Sequence, residues 1–217
     1  MRANGILTVS NGANVCVAVG GPGVAGTQVS PYPSYYSHED GDFSTTGDML
    51  IGTGVLSGQA FFNQGNLSVG GCLRVGVQTA GVSEFKINGA GSGVSSLGAN
   101  QLEVGSRGKV TFDFLSGAAI LPISVANQVT LSSGSTLSIT NLPPQPGTYT
   151  LIDGGSLSGT FTTTSISGLP VHMTAEIQYD TANGDVNLVI GDSITEFDNN
   201  QGNGDGFWST QSNWYPF

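Results

Sequence analysis

Cys72-Leu73-Arg74-Val75-Gly76 is followed, 29 residues on, by Gln101-Leu102-Glu103-Val104-Gly105. In each pentapeptide the apolar residues stand two apart, which puts them on one face of a β-strand. The closing glycine permits a tight corner that a Cβ would hinder. The pattern is legible upstream as Cys16-Val17-Ala18-Val19-Gly20 and Asp48-Met49-Leu50-Ile51-Gly52, and downstream, degenerately, as Gln128-Val129-Thr130-Leu131-Ser132. Successive copies begin 32, 24, 29 and 27 residues apart.

Stacking the copies gives two inward columns: Val17, Met49, Leu73, Leu102 and Val129, and Val19, Ile51, Val75, Val104 and Leu131. Further short apolar alternations accompany them at Leu67-Ser68-Val69, Phe85-Lys86-Ile87, Val110-Thr111-Phe112 and Leu137-Ser138-Ile139. Two or three short strands per 24–32 residues fit one coil of a solenoid. Such coils pair in parallel about 4.8 Å apart, and several must stack to bury a core. The expected fold is all-β, a right-handed parallel β-solenoid (β-helix) with a C-terminal antiparallel β-hairpin cap. A sandwich is the competing reading, because glycine-rich β sequence also yields such pentapeptides by chance.

This register makes two demands. Arg74 and Glu103, both middle and outward, should lie with Cα atoms within about 6 Å in parallel neighbouring strands. Cys16 and Cys72 should occupy equivalent places two coils apart, about 9–10 Å, and so be too distant for a disulfide.

The division read from the sequence is a solenoid over 1–142, a cap over 143–191 and a polar linker over 192–217. Residues 22–47, with Pro22, Pro31, Pro33 and the acidic Glu39, Asp40 and Asp42, read as a loop inserted in the solenoid. In the cap, Asn183-Gly184 between Ala175–Tyr179 and Val186–Ile190 is a hairpin signal. The linker ends in Phe207, Trp208 and Trp214, which read as the opening of a further module.

Composition narrows function. The chain of 217 residues has 34 glycines, 9% charged residues and a formal net charge of −10. Such a field repels nucleic acid and anionic membranes. No apolar run approaches the roughly 20 residues that span a bilayer, and the first residues lack the apolar stretch of a signal peptide. Two cysteines make neither a disulfide framework nor a metal motif.

Chemical motifs mostly fail on context. Gly21-Pro22-Gly23-Val24-Ala25-Gly26 matches a dinucleotide-loop spacing, but no helical pattern follows to receive a pyrophosphate. There is no nucleophile elbow, and His38 and His172 have no paired ligand spacing. Asp198, Asn200, Asn203 and Asp205 lie in an oxygen-rich stretch and are candidate Ca²⁺ ligands, although the stretch departs from the helix-loop-helix template. No other cofactor is expected.

Some parallel β-helices cleave polysaccharides. A lyase reading would use Arg74, Lys86, Arg107 and Lys109, and a hydrolase reading would need facing carboxylates among Glu84, Glu103 and Asp113. Tyr32, Tyr35 and Tyr36 are candidate glycan-stacking residues. The simpler reading makes these residues outward, solubilising positions and loop packing.

Phe62-Asn63-Gln64-Gly65-Asn66-Leu67-Ser68-Val69-Gly70-Gly71-Cys72-Leu73-Arg74-Val75-Gly76 resembles the glycine-rich repeats of autotransporter-like passenger proteins, including large planctomycete surface proteins. Pro146–Asp153, with Gly168-Leu169-Pro170 and Asn183-Gly184-Asp185-Val186, looks like the block that closes such solenoids. The resemblance covers most of the chain and implies a secreted stalk or adhesin, with no catalytic residues to carry over. The expectation is therefore an extracellular or cell-surface structural or adhesive module, not an enzyme. Its expected partners are copies of itself in rods or filaments, neighbouring modules of the same protein, or glycans. A carbohydrate-binding or polysaccharide-degrading β-helix is the alternative.

Overall fold

The computed structural model describes the backbone of residues 6–9, 14–17 and 34–38, and both backbone and side chains of 42–52, 57–77, 79–89, 96–114, 121–142 and 145–193. Every regular element among these residues is a strand. In chain order they are β1 (Ile6–Val9), β2 (Asn14–Val17), β3 (Ser34–His38), β4 (Asp42–Thr45), β5 (Met49–Ile51), β6 (Gly58–Phe62), β7 (Asn66–Val75), β8 (Ser83–Asn88), β9 (Ser96–Val104), β10 (Gly108–Asp113), β11 (Ile123–Leu131), β12 (Thr136–Thr140), β13 (Gly147–Ser158), β14 (Thr163–Ile166), β15 (Met173–Asp180) and β16 (Asp185–Asp192).

The chain alternates between two sheets and coils as a parallel β-solenoid. One sheet has seven strands in the order β1-β3-β6-β8-β10-β12-β14. The other has nine, ordered β15-β16-β13-β11-β9-β7-β4-β2, with β5 also paired to β7. All pairings are parallel except those that β16 makes with β13 and β15.

The core lies between the sheets, and the period of two builds it. In β8, Ser83, Phe85 and Ile87 are buried and their neighbours are not. The seven-stranded sheet stacks Ala60, Phe85, Val110 and Leu137 in one column and Phe62, Ile87, Phe112 and Ile139 in the next. Facing them, Met49, Leu73, Leu102, Val129 and Leu157 align, as do Ile51, Val75, Val104 and Leu131. Each fully buried Leu, Val, Ile or Phe contributes about 1.5–3 kcal/mol, so the columns dominate the stability of the coils.

Polar ladders hold the coils in step. Asn66 donates to Asp42 at 2.5 Å, and Ser96 in turn donates to Asn66 at 2.8 Å. Asn88 donates to Asn63. Asn127 donates to Asn100 at 2.5 Å, and Asn141 to Asp113 at 2.6 Å. Asp42, Asn66 and Ser96 are Cα partners in successive coils, and Asn141 stands one place beyond Thr140, the partner of Asp113, so the ladders specify register as well as satisfying polar groups.

The corner after the pentapeptide needs glycine. Gly76 has φ +63°, and a Cβ there would lie 2.3 Å from the backbone nitrogen of Gly108. The ladder runs on through this corner: Gly76 N–H donates to Ile51 O, Gly105 N–H to Val75 O and Ser132 N–H to Val104 O, at 2.9–3.0 Å.

Four readings of the sequence require correction. Val17 does not continue the Met49–Leu73 column, because its Cα partner is Thr45 and that of Cys16 is Ser44. Leu67–Val69 is not a second strand of its coil but the first half of β7, joined to the pentapeptide through a register shift at Gly70-Gly71. The stretch 22–47 is not wholly an inserted loop: 34–38 and 42–45 are strands of the two sheets, and Phe43 and Thr45 are buried. Residues 147–166 are not cap but another coil, since β13 and β14 pair in parallel with β11 and β12. The antiparallel hairpin is β15–β16 alone, turning at 181–184 with Gly184 at φ +86°.

Candidate functional site

The candidate residues sort by which sheet carries them. Lys86 on β8 and Lys109 on β10 belong to the outer side of the seven-stranded sheet, and Arg74 on β7 to the outer side of the other. The bases are therefore split between opposite faces. The carboxylates divide the same way, with Glu84 and Asp113 on one face and Glu103 on the other.

On the seven-stranded sheet the charges pair between coils. Lys109 Nζ lies 3.0 Å from Glu84 Oε1, whose Cα partner it is, and Thr111 Oγ1 donates to the same oxygen at 2.6 Å. Lys86 Nζ reaches diagonally to Asp113 Oδ2 at 2.7 Å, while Asn141 donates to Asp113 Oδ1. Burial works to raise both carboxyls. The bonds from Thr111 and Lys109 outweigh it at Glu84, and those from Lys86 and Asn141 at Asp113, so both are held below their ordinary values. Glycoside hydrolysis needs one carboxyl raised, so that it stays protonated as the general acid. Here both shifts run the other way.

On the other sheet Arg74 and Glu103 are direct Cα partners, and Nε lies 3.2 Å from Glu103 Oε2. The far end of the guanidinium is 3.5 Å from Asp48 Oδ2, so Arg74 bridges carboxylates of the coils on either side. Beside it, Cys72 is a buried free thiol whose backbone N–H donates to Asp48 Oδ1 at 2.8 Å. Burial pushes the thiol up, and the neighbouring Arg74 only partly offsets this. A thiol held protonated is a poor nucleophile. The absence of a bridge at Cys72 agrees with the expectation, but the equivalence behind it does not hold, because Cys16 stands over Ser44 and Ser68 instead.

Tyr35 and Tyr36 lie on β3 in adjacent columns, the first aligned with Gln59 and Glu84, the second with Ala60 and Phe85. The strand therefore does not gather them in one column. The backbone of His38 ends the same strand, and His172, at φ +75°, belongs to the loop before β15. Tyr32 and the candidate Ca²⁺ ligands Asp198, Asn200, Asn203 and Asp205 lie outside the described residues. Among the described residues, no group of three or more His, Cys, Asp or Glu side chains could hold a metal ion.

One feature escaped the sequence reading. At the C-terminal end of the solenoid, a groove of about 450 Å³ opens between β14 and β15, its lining mixed: Phe161, Ile166, Ala175, Ile177 and Tyr179 stand beside Thr164 and Glu176. The phenol of Tyr179 accepts the Phe161 N–H at 3.2 Å across it. The alternation Ala175, Ile177, Tyr179 was the available signal, an apolar strand face whose partner the sequence does not specify.

No family model, no curated protein and no solved structure matches the chain.

Proposed function

We propose that this chain is a passive structural module of an extracellular surface protein, a segment of a stalk or adhesin that acts by shape and rigidity rather than by catalysis. The observation that supports this reading is the pairing of its charges. Arg74, Lys86 and Lys109, three of the five Lys and Arg residues, are each engaged with a carboxylate of a neighbouring coil. A base engaged in this way is not free to neutralise an acidic sugar or to abstract a proton from one. The same pairs stitch coil to coil, as a stack that resists tension requires.

The architecture supports the reading in a second way. Strands about 4.8 Å apart make the seven-stranded sheet roughly 30 Å tall, a short prism rather than a long rod. Reach would come from joining such modules in series with neighbouring modules of the same protein. No helix among the described residues is long and apolar enough to cross a membrane.

The test is incubation of the purified chain with uronate-rich and neutral polysaccharides, reading both retention and release of new chain ends. We expect neither. Saturable retention, or turnover abolished by Arg74→Ala or Lys109→Ala, would overturn the structural reading in favour of a carbohydrate-active one.

A further inference from the structure

The two sheets do not end level. Beyond the coil formed by β12 and β13, the seven-stranded sheet adds β14, whereas the other adds β16 and then β15. The sheet carrying the hairpin therefore overhangs by one strand, about 4.8 Å. Because β16 is antiparallel to both neighbours, β15 runs in the same direction as β13. The chain crosses from one sheet to the other and back in each coil, so β15 runs against β14. The Phe161 N–H, just ahead of β14, accordingly donates to the phenol of Tyr179, near the end of β15.

Both walls of this step have an open edge and an alternating pattern. Thr163 and Ser167 turn their N–H groups to the preceding coil, onto Ser135 O and Ile139 O, so alternation turns the amides of Thr164 and Ile166 to the open edge. Thr164 and Ile166 continue the inner columns of Leu137 and Ile139, and Thr163 and Ser165 the outer ones of Thr136 and Ser138. On β15, Ala175, Ile177 and Tyr179 pack toward the core, with Glu176 and Gln178 alternating between them. Among the described residues no strand covers either edge.

An unlevel end restricts what can cover it. At the other end the sheets finish with β1 and β2, consecutive strands of one coil, so a second copy stacked head to tail would leave one sheet a strand short. Pairing β15 with its own copy, edge to edge, would leave both β14 edges open and crowd the two Glu176 carboxylates. A two-fold axis between the sheets and parallel to the strands avoids both faults. It exchanges the sheets, so the overhanging β15 of each copy comes to lie on the short β14 of the other, and one step fills its equal. The axis preserves strand direction, so each such pair is antiparallel.

We propose that this end of the solenoid binds the same end of a second copy, β14 of each chain pairing with β15 of its partner. Ala175, Ile177 and Tyr179 then extend the inner columns that end at the partner's Thr164 and Ile166. The two β15 strands face one another across a continuous core. Glu176 and Gln178 meet the hydroxyls of the partner's Thr163 and Ser165, not another carboxylate. The loop from β14 to β15, which carries the exposed Leu169 and Val171, is brought beside its own copy. The interface is self-complementary, with an apolar centre and a polar rim, and it closes strand edges that otherwise invite aggregation. The inference rests on the fold and not on the structural role proposed above, since a carbohydrate-active chain would pair in the same way.

Sedimentation should show a dimer that forms reversibly with concentration and grows no further, because the interface is closed and small. Thr164→Arg, at an exposed position, should return the chain to monomer with its circular dichroism unchanged. Thr136→Arg, one coil back on the outer face, should leave the dimer intact. Nitroxide labels on Thr136→Cys or Gln59→Cys, each in a Cys16→Ser background, read the geometry without touching the junction. The two positions share one outer column, three coils apart. Each coil away from the junction adds about twice the 4.8 Å strand spacing along the axis, so the label-to-label distance should be much longer at 59 than at 136. A monomer at every concentration would overturn the proposal, as would a dimer indifferent to Thr164→Arg. So would equal distances at the two sites, which mark head-to-tail stacking, or a shorter distance at 59, which marks contact through the β1–β2 end.

Discussion

Leu102, in the middle of the solenoid, has a Cα partner on either side, Leu73 in one coil and Val129 in the next, and is 1% exposed. Ile177, in the hairpin, has one such partner, Leu188, and a groove at its flank. Both are apolar residues on alternating strands, yet one is held by neighbouring coils and the other by a single strand. In a stack of this kind stability is close to a sum of nearest-neighbour terms. An interior coil carries two such interfaces and the end carries one, so the same substitution should cost more in the middle than at the hairpin.

The largest expected effect breaks the interior side of that comparison. Leu102→Asp places a carboxylate in the column between Leu73 and Val129, where no described base reaches, and an unpaired buried charge costs several kcal/mol. We expect loss of cooperative folding, seen as a missing thermal transition. Glu103→Gln, next in sequence but outward, should stay within about 1 kcal/mol of the parent. Equal shifts for the two would show that the faces of β9 are misassigned.

Gly76→Ala comes next. A side chain at φ +63° costs about 1–2 kcal/mol, and here its Cβ would also press on the backbone of Arg107 and Gly108. The expected loss is about 2–4 kcal/mol. A change below about 0.5 kcal/mol would mean that the corner is free to relax. At the hairpin, Ile177→Ala should cost about 1 kcal/mol, less than a buried truncation because the side chain is only partly enclosed. Its signature is local: faster amide exchange in β15 and β16, with β8 to β11 unchanged.

What the sequence disclosed follows the same division. The Leu73–Leu102–Val129 column was legible because each copy has an unbroken period of two, and three of the five end in a glycine with a neighbouring coil close against it. Arg74 and Glu103 followed from that register. The first copy misled because Cys16–Gly20 has the same pattern while β2 pairs with β4 rather than β5, a choice that the pentapeptide does not encode. The strands at Ser34–His38 and Asp42–Thr45 were hidden by prolines and acids that read as loop. The coil that contains Leu157 reads as cap because Pro143-Pro144-Gln145-Pro146-Gly147 breaks the repeat ahead of it, and the register shift between β11 and β13 at Gly154–Ser156 leaves its apolar period broken as well. The groove depends on β16 folding back between β13 and β15, a long-range choice with no local signature.

Acid should move the two regions in opposite directions. Glu84 and Asp113, in the coils, are held below their ordinary values of 4.5 and 3.8, so their contribution is present in full above those values and is lost as the pH falls from them through the lower values of the folded state. Asp185, at the hairpin turn, is raised above 3.8, by burial first and then by Asp153 and Asp180. Its folded form binds the proton more tightly, so its share of stability rises as the pH falls toward 3.8. Thermal melts should therefore lose midpoint below about pH 4.5, with Lys86→Met flattening the part due to Asp113. Asp185→Asn should remove the opposing gain, so that the melting point falls more steeply with acid. A parallel response in parent and both variants would show that these groups do not control the acid limb.

The smallest expected effect is the most specific to the fold. Arg74 and Glu103 are 29 residues apart in sequence and are Cα partners in adjacent parallel strands, with Nε 3.2 Å from Oε2. Both side chains are partly open to water, at 39% and 31% exposure, so screening and side-chain entropy limit the pair to about 0–1 kcal/mol. Arg74 also faces Asp48 at 3.5 Å, and Arg74→Ala therefore removes two interactions while Glu103→Gln removes one. A double-mutant cycle between positions 74 and 103 isolates the direct pair, and one between 74 and 48 isolates the other. We expect positive coupling in both cycles, each under about 1 kcal/mol and each shrinking at high salt. No coupling is expected between Arg74 and Glu84, which lie on opposite faces. Coupling of 74 to 84 but not to 103 would place Arg74 on the wrong sheet. It would also release Arg74 from the pairing on which the structural reading rests, leaving a free base for an acidic sugar.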